Sequence, residues 1–337
     1  MSLNVAINGF GRIGRAAFKI ILDSHPDLKI VAINDLTDTK TLAHLLAHDS
    51  CYGPYQYKVT GNTKGLEVKG KKYAIFAEKD PGQLPWQKLK VDVVLECTGR
   101  FCNKESASLH LQAGAKKVII SAPAKKGGVK TIVLGVNEKK LKANDHIISN
   151  ASCTTNCLAP AMAVIKEKFG VKKALMTTIH SYTADQRLVD GPHTDLRRAR
   201  AAAINIVPTT TGAAVAVSET IPSLKGHFDG MAVRVPTPLA SLCDIVCVLN
   251  KKTDADKVNQ AFAKAAKSKL KGILEASNEE LVSTDIIGNP YSSIIDLKST
   301  KVVDGDLLKV VAWYDNEWGY SNRLVELAAF LKKFIKK

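Results

Sequence analysis

Near the middle of the chain, the run Ser149-Asn150-Ala151-Ser152-Cys153-Thr154-Thr155-Asn156-Cys157 sets a cysteine among small hydroxyl and amide side chains. His146-Ile147-Ile148 before it reads as a strand, and residues 158–165 after it read as the start of a helix. Cys153 therefore falls where a strand turns into a helix. Unpaired N–H groups and the positive dipole end of a helix N-terminus favour a thiolate at such a position. A buried core cysteine is the competing reading, because free cysteines are among the most buried residues. His180, near the end of a β-branched run over residues 174–182, is a candidate base for the thiol proton.

The N-terminal stretch suggests what such a thiolate would work with. Asn4-Val5-Ala6-Ile7-Asn8 reads as a strand and Gly9-Phe10-Gly11-Arg12-Ile13-Gly14 as a glycine turn. Ile13, Ala16, Ala17, Ile20 and Ile21 then recur at the spacing of one helix face. Residues 28–34 read as the next strand, which ends at Asp35. In a unit of this kind Gly9 permits the tight turn, Gly11 lets backbone approach a pyrophosphate on the helix N-terminus, and Gly14 allows close helix–strand packing. Asp35 is placed to accept hydrogen bonds from a ribose diol, and its charge would repel a 2′-phosphate, so NAD is favoured over NADP. A thiolate beside a nicotinamide points to aldehyde oxidation. Cysteine adds to the carbonyl to give a thiohemiacetal, His180 accepts a proton and later returns it to the departing group, and hydride passes to NAD. The thioester that remains is open to water or phosphate.

The elements that would hold these residues alternate between helix and strand through the first half. Leu42, Leu45 and Leu46 suggest a helix before His48, and residues 57–76 have β character broken by Gly61, Gly65 and Gly70. Residues 91–99 read as a buried strand, 104–113 as a helix ended by Gly114, and 118–121 and 131–136 as short strands. The expectation is a doubly wound sheet, with Asp35, Thr98, Ser121 and the Cys153 turn at the ligand-binding ends of its strands. From Lys172 the pattern changes. A long polar segment over residues 183–200 contains Arg197, Arg198 and Arg200, whose planar forks suit phosphate or carboxylate, although most of the three are expected to be surface or interface arginines. Thr209-Thr210-Thr211-Gly212 opens a helix and offers a second anion seat. Arg234 lies alone in the apolar run Met231-Ala232-Val233-Arg234-Val235-Pro236, and a structural salt bridge and ligand binding compete evenly there. Residues 241–249 and 307–314 read as long strands with a helix around 258–266 between them, and a last helix over 320–333 could pack back onto the first domain.

Composition narrows the class. A chain of 337 residues, 45% hydrophobic and 24% charged, is long enough for two domains of ordinary globular character. No apolar run reaches the roughly 18 residues of a membrane span. The N-terminus leads straight into a strand with no signal peptide, and Ile335-Lys336-Lys337 does not match the peroxisomal tripeptide. Seven cysteines without a C-x-x-C pair favour a reducing compartment, taken as cytoplasmic, and argue against a structural zinc site, so no metal is expected. The formal charge of +16 includes short clusters such as Lys125-Lys126, Lys251-Lys252 and Lys332-Lys333. It reads as a solvated surface, with attraction of nucleic acid or another polyanion as a competing but unrequired role.

The chain resembles, essentially end to end, the phosphorylating glyceraldehyde-3-phosphate dehydrogenase family of glycolysis. The residues carrying the likeness are Asn8-Gly9-Phe10-Gly11-Arg12-Ile13-Gly14-Arg15, the run from Ala113 to Pro123, the cysteine turn from Ser149 to Cys157, His180-Ser181-Tyr182-Thr183, residues 195–202 and 208–212, and Trp313-Tyr314-Asp315-Asn316-Glu317-Trp318-Gly319-Tyr320-Ser321. The resemblance implies a Rossmann-type doubly wound parallel sheet (residues 1–151 and 316–337) plus an α+β catalytic domain with a mixed, largely antiparallel sheet (residues 152–315). It implies Cys153 as nucleophile and His180 as base. Gly9, Gly11, Arg12, Ile13, Gly14, Asp35, Lys79, Ser121 and Asn316 would bind NAD. Ser152, Thr154, Thr183, Arg198, Thr211, Gly212 and Arg234 would bind glyceraldehyde 3-phosphate and inorganic phosphate. A homotetramer is implied as well, and oxidation of erythrose 4-phosphate is the nearest rival on the same scaffold. Three positions depart from the family's commoner pattern: Lys79 for Arg, Gly191 for a larger apolar residue, and Cys102 for a Thr near the cofactor cleft. Cys157 could resolve an oxidised Cys153, with a small core residue as the commoner alternative.

Overall fold

Val5, Ala6 and Ile7 are each fully buried, so the first strand has apolar neighbours on both faces, as strands of a covered parallel sheet do. The computed structural model describes residues 2–63, 65–125 and 127–335. Lys126, Lys336 and Lys337, named above for their charge or terminal position, lie outside the described residues, as do Met1 and Lys64. Contacts divide the chain into two units, the first built from the chain up to Ile132, Lys139–Ala151 and the chain from Ser321, the second from Val133–Glu138 and Ser152–Tyr320.

The first unit begins β1 (Leu3–Asn8), α1 (Arg12–Ser24), β2 (Leu28–Asn34), α2 (Thr39–Ala47). The glycine-interrupted stretch folds as β3 (Val59–Asn62), β4 (Gly65–Val68) and β5 (Lys71–Tyr73), a separate antiparallel sheet, before β6 (Ile75–Phe76) returns to the main one. Then follow β7 (Val93–Glu96), α3 (Lys104–Gln112), β8 (Lys117–Ile120), β9 (Lys130–Thr131) and β10 (Ile147–Ser149). The strand order is β6-β2-β1-β7-β8-β10-β9, and every pair is parallel. Order reverses at β1, the switch point where ligands bind such sheets.

The second unit runs α4 (Cys153–Phe169), β11 (Val171–Ser181), β12 (Val207–Thr209), α5 (Ala213–Thr220), β13 (Phe228–Val235), β14 (Ser241–Leu249), α6 (Ala255–Ala266), β15 (Leu274–Ser277), β16 (Ser293–Val303) and β17 (Leu307–Tyr314). Its sheet, in the order β12-β13-β11-β14-β17-β16-β15, is mixed: β11 with β13 and β15 with β16 are parallel, the other pairs antiparallel. In β11, Ala174, Met176, Thr178 and His180 are buried while Leu175 is exposed, the alternation of a sheet covered on one face. The buried helix α4 packs on that sheet through β16 and β17. Helix α7 (Trp318–Phe330) is followed by a short 3-10 turn over Leu331–Phe334, and from Ser321 it belongs to the first unit.

Two boundaries differ from expectation. The strand expected over 131–136 stops at Thr131. Gly135, at φ +81°, lies where a Cβ would stand 2.8 Å from Leu270 and 2.9 Å from Ile273, and this contact draws residues 133–138 into the second unit. Residues 316–320, expected with the first domain, also group with the second, where hydroxyls of Ser181 and Ser241 hold Asn316.

The glycine turn after β1 has two differently constrained glycines. A Cβ on Gly14 would stand 2.1 Å from the carbonyl oxygen of Gly9, whereas one on Gly11 would meet nothing within 4 Å. Gly14→Ala should therefore lower the unfolding free energy by about 2 kcal/mol, and Gly11→Ala should change it by less than about 0.5 kcal/mol. Denaturant unfolding of both variants checks this; equal losses would contradict the packing reading.

Candidate active site

Ser152 starts α4. Its backbone is extended and its Oγ accepts the Thr155 N–H at 3.0 Å, the geometry of an N-cap. Cys153 is thus the first residue of a 17-residue helix, with first-turn N–H groups that have no intrahelical partner. His180 comes from the end of β11. Its Nε2 is 3.5 Å from Cys153 Sγ and its Nδ1 is 2.7 Å from the carbonyl oxygen of Ser181. Arg234 Nη1, which only donates, also lies 3.1 Å from Nδ1, but the carbonyl, which only accepts, is closer and decides the tautomer: Nδ1 carries the proton and Nε2 turns a lone pair to the thiol.

The parallel register pairs His180 with Arg234 on β13. Arg234 Nη1 donates to the Ser181 carbonyl at 3.1 Å and to Thr183 Oγ1 at 3.2 Å, while its buried Nε has no protein partner. Among the described residues Arg234 forms no ion pair, so the structural salt bridge weighed from the sequence is not what holds it. Burial, reinforced by the Arg234 charge, pushes the His180 imidazole down to about 3. Burial pushes the Cys153 thiol up, against the pull of Arg234 and of the Thr154 hydroxyl and N–H. At neutral pH the imidazole is therefore a neutral acceptor.

Ser152, Cys153, Thr154, His180, Thr183 and Arg234 are thereby brought into one cluster. Arg198 lies close enough for its charge also to lower His180. It is bound to the Asp185 carboxylate, to Thr209 Oγ1 at 2.9 Å and to the Thr210 carbonyl at 3.0 Å. Arg200 pairs with Asp190 and Arg197 reaches the Pro208 carbonyl, so both serve the loop. Thr211 Oγ1 accepts the Ala213 N–H at 3.2 Å, and Gly212 begins α5 with no side-chain cap. Asn316 Oδ1 accepts the Ser181 and Ser241 hydroxyls at 2.9 and 3.1 Å, which fixes the orientation of its amide. Cys157 is fully buried, its Sγ directed at Ser293 and the Ala312 carbonyl, which favours packing.

In the first unit, Gly9, Gly11, Asp35 and Lys79 line a cavity of about 270 Å³ with Asn8, Asn34, Thr98 and Phe101. Arg12, Ile13, Gly14 and Ser121 are not in its lining. Arg12 instead pairs with Asp49 at 2.7 Å, and Gly14 packs under Gly9. The cavity suits a dinucleotide. A Cβ on Gly9 would lie 2.7 Å from the Thr98 nitrogen, so the turn hugs the sheet, and α1 begins at Gly11 with no side-chain cap on its N–H groups. Asp35 accepts the Phe10 N–H at 2.7 Å and the Thr37 N–H at 2.9 Å, which aims its carboxylate and leaves lone pairs for a diol. Cys102, next to the lining residue Phe101, is itself buried in the core with Ala6, Val94 and Val118.

Sequence reasoning missed two groups. Tyr314 is fully buried, its hydroxyl 2.9 Å from both Thr154 and Thr178. In the first unit, Trp86 Nε1 donates to His110 Nδ1 at 3.0 Å, and His110 Nε2 then donates to Glu96 at 3.0 Å. Glu96 also holds Thr98, whose backbone supports the Gly9 turn. A glutamate inside the apolar strand 91–99 was the visible signal for that network; Tyr314 gave none.

An all-parallel sheet with a G-x-G-x-x-G turn and a following acid, in a chain whose other unit presents a thiol to an imidazole, defines a dinucleotide-dependent dehydrogenase. Family models for the glyceraldehyde 3-phosphate dehydrogenase NAD binding domain and C-terminal domain match residues 3–104 and 152–316. The chain is 56% identical over 333 residues to glyceraldehyde-3-phosphate dehydrogenase of Geobacillus stearothermophilus, covering 98% of each. It is 54% identical over 334 residues to glyceraldehyde-3-phosphate dehydrogenase 1 of Bacillus subtilis, covering 99% of each. The chain belongs to the glyceraldehyde-3-phosphate dehydrogenase family, and NAD is its cofactor.

The His180 environment has a measurable consequence. With a folded value near 3 and an unfolded value near 6.5, the unfolded chain binds the extra proton between them, so stability is lost as pH falls below about 6.5. Each pH unit costs up to about 1.4 kcal/mol. Between pH 6.5 and 5 the unfolding free energy should fall by about 2 kcal/mol more in the parent than in His180→Gln. Equal pH dependence in the two proteins would refute the assignment.

Proposed function

We propose that the chain catalyses the NAD-dependent oxidation and phosphorylation of glyceraldehyde 3-phosphate, with Cys153 as nucleophile and His180 as general base. The observation that carries the site assignment is the 3.5 Å approach of Cys153 Sγ to an imidazole whose other nitrogen is committed to the Ser181 carbonyl. Gly9, Gly11, Asp35 and Lys79 would hold the adenosine and pyrophosphate side of NAD, and Asn316 would contact it as the family resemblance implies. Bound NAD supplies the hydride acceptor.

Cys153 gives its proton to His180 Nε2 and forms the C–S bond to the aldehyde carbon. His180 returns that proton to the oxygen, giving a neutral thiohemiacetal, and then removes it again as the carbon loses hydride. The thioester left on Cys153 is attacked by inorganic phosphate; the C–S bond breaks and Cys153 leaves as thiolate. Arg234 adds positive charge beside the thiol, and its Nε without a protein partner supports an anionic ligand there. Thr183, Arg198, Thr211 and Gly212 provide hydroxyl, guanidinium and helix N-terminal donors for the substrate phosphate and inorganic phosphate.

Oxidation of erythrose 4-phosphate is not favoured, since the relatives at 56% and 54% identity bear the glyceraldehyde-3-phosphate name. NADH formation from glyceraldehyde 3-phosphate should require inorganic phosphate for steady turnover. Cys153→Ser should lower kcat at least about a thousandfold with NAD affinity within about twofold. Turnover by that variant at the parent rate would remove Cys153 from the mechanism.

We also propose a homotetramer. Support comes from Leu188, Leu196 and Ile204, each about 80% exposed in the second unit, and from the open sheet face with Leu175, Val246 and Val248, which with Val215 of α5 lines a groove of about 930 Å³. Sedimentation velocity should give a species of four chains; a monomer at micromolar concentration would rule this out.

A further inference from the structure

Tyr314 ends β17 and reaches three parts of the Cys153–His180 cluster at once. Its hydroxyl lies 2.9 Å from Thr154 on the first turn of α4 and 2.9 Å from Thr178 on β11. Its ring meets the His180 imidazole edge-on, with centroids 6.0 Å apart. Thr178 and His180 are two residues apart on one strand and so share a face. The Tyr314 hydroxyl therefore ties the element that carries the thiol to the element that carries the base.

The three hydroxyls also have a fixed direction. Thr178 Oγ1 donates to the Leu242 carbonyl at 3.2 Å, which can only accept. Thr178 must then accept from Tyr314, and Tyr314 must accept from Thr154. The Thr154 proton is thereby drawn away from Cys153 Sγ, which lies 4.0 Å from Thr154 Oγ1. A hydroxyl free to rotate would donate to a thiolate at that position; this one is held from doing so.

We propose that Tyr314 is a positioning residue for the Cys153–His180 pair, its hydroxyl fixing α4 against β11 and withholding the Thr154 proton from the cysteine sulfur. Thiol and base are thereby kept as each other's nearest partner. With its proton turned to Tyr314, Thr154 Oγ1 faces Cys153 Sγ as an acceptor, and Arg234 and the Thr154 N–H remain the groups that favour a thiolate. The inference rests on the assignment of Cys153 as nucleophile, so the decisive measurement is made on free protein without turnover.

In Tyr314→Phe the Thr154 hydroxyl loses its acceptor and can turn to the sulfur. The pH profile of Cys153 alkylation by iodoacetamide should move to lower pH. Because a hydrogen-bonded, less basic thiolate is a poorer nucleophile, kcat should fall roughly tenfold with KM for aldehyde and NAD within about twofold. Thr178→Val removes the acceptor at the other end, so Tyr314 is free to donate to Thr154, and its alkylation profile should move in the same direction. It also serves as the reporter if Tyr314→Phe does not fold. An unmoved profile in the folded variants, or a kcat loss that tracks only a lower unfolding midpoint, would overturn the proposal. A moved profile alongside normal turnover by Cys153→Ser would instead overturn the nucleophile assignment and leave the positioning intact.

Discussion

The hydrogen bond from His180 Nδ1 to the carbonyl of Ser181 decides what the second unit can do. It spends one ring nitrogen on backbone that cannot move without breaking β11, and so dedicates the other to Cys153. The same carbonyl accepts from Arg234, which joins the base to the cation at a single oxygen. Burial and that cation together keep the imidazole neutral. An isolated buried charge so near would be expensive, and here it is tolerated because the guanidinium has a carbonyl and a hydroxyl as partners.

The first unit solves the same tautomer problem the other way round. His110 accepts from Trp86 at Nδ1 and donates from Nε2 to Glu96, so a buried carboxylate is satisfied and Thr98 is held beneath the Gly9 turn. In both units a histidine's second nitrogen is assigned by a neighbour that has no choice of role, a carbonyl in one case and an indole N–H in the other. Preorganisation of this kind leaves little to rearrange when a ligand arrives.

What was legible in the sequence was local. The spacing of Gly9, Gly11 and Gly14 before an apolar helix face, Asp35 at the next strand end, and the strand-to-helix turn at Cys153 all lie within a few turns of chain. His180 could be named as a candidate base, but its orientation depends on the register of β11 against β13, which pairs it with a residue 54 positions away. The role of Arg234 stayed open for the same reason. Tyr314 was quoted only as part of a recognisable run, because its partner Thr154 is 160 positions distant. The strand-like run over 131–136 is cut short where Gly135 lies against Leu270 and Ile273, more than 130 positions along the chain. Arg198 was singled out for its fork geometry, while its present commitment to Asp185 could not be read from spacing.

Strand β11 carries its information by parity. Ala174, Met176, Thr178 and His180 form one set, buried under the helices; the intervening positions, Leu175 among them, form the other. Because the pleat has a period of two, inserting or deleting one residue in this strand would exchange the sets. The imidazole and its hydroxyl neighbour would move to the open face, and the exposed Leu175 would turn inward. The base and the exposed apolar position are thus encoded as the even and odd positions of one string, and neither can be shifted by a single step without the other.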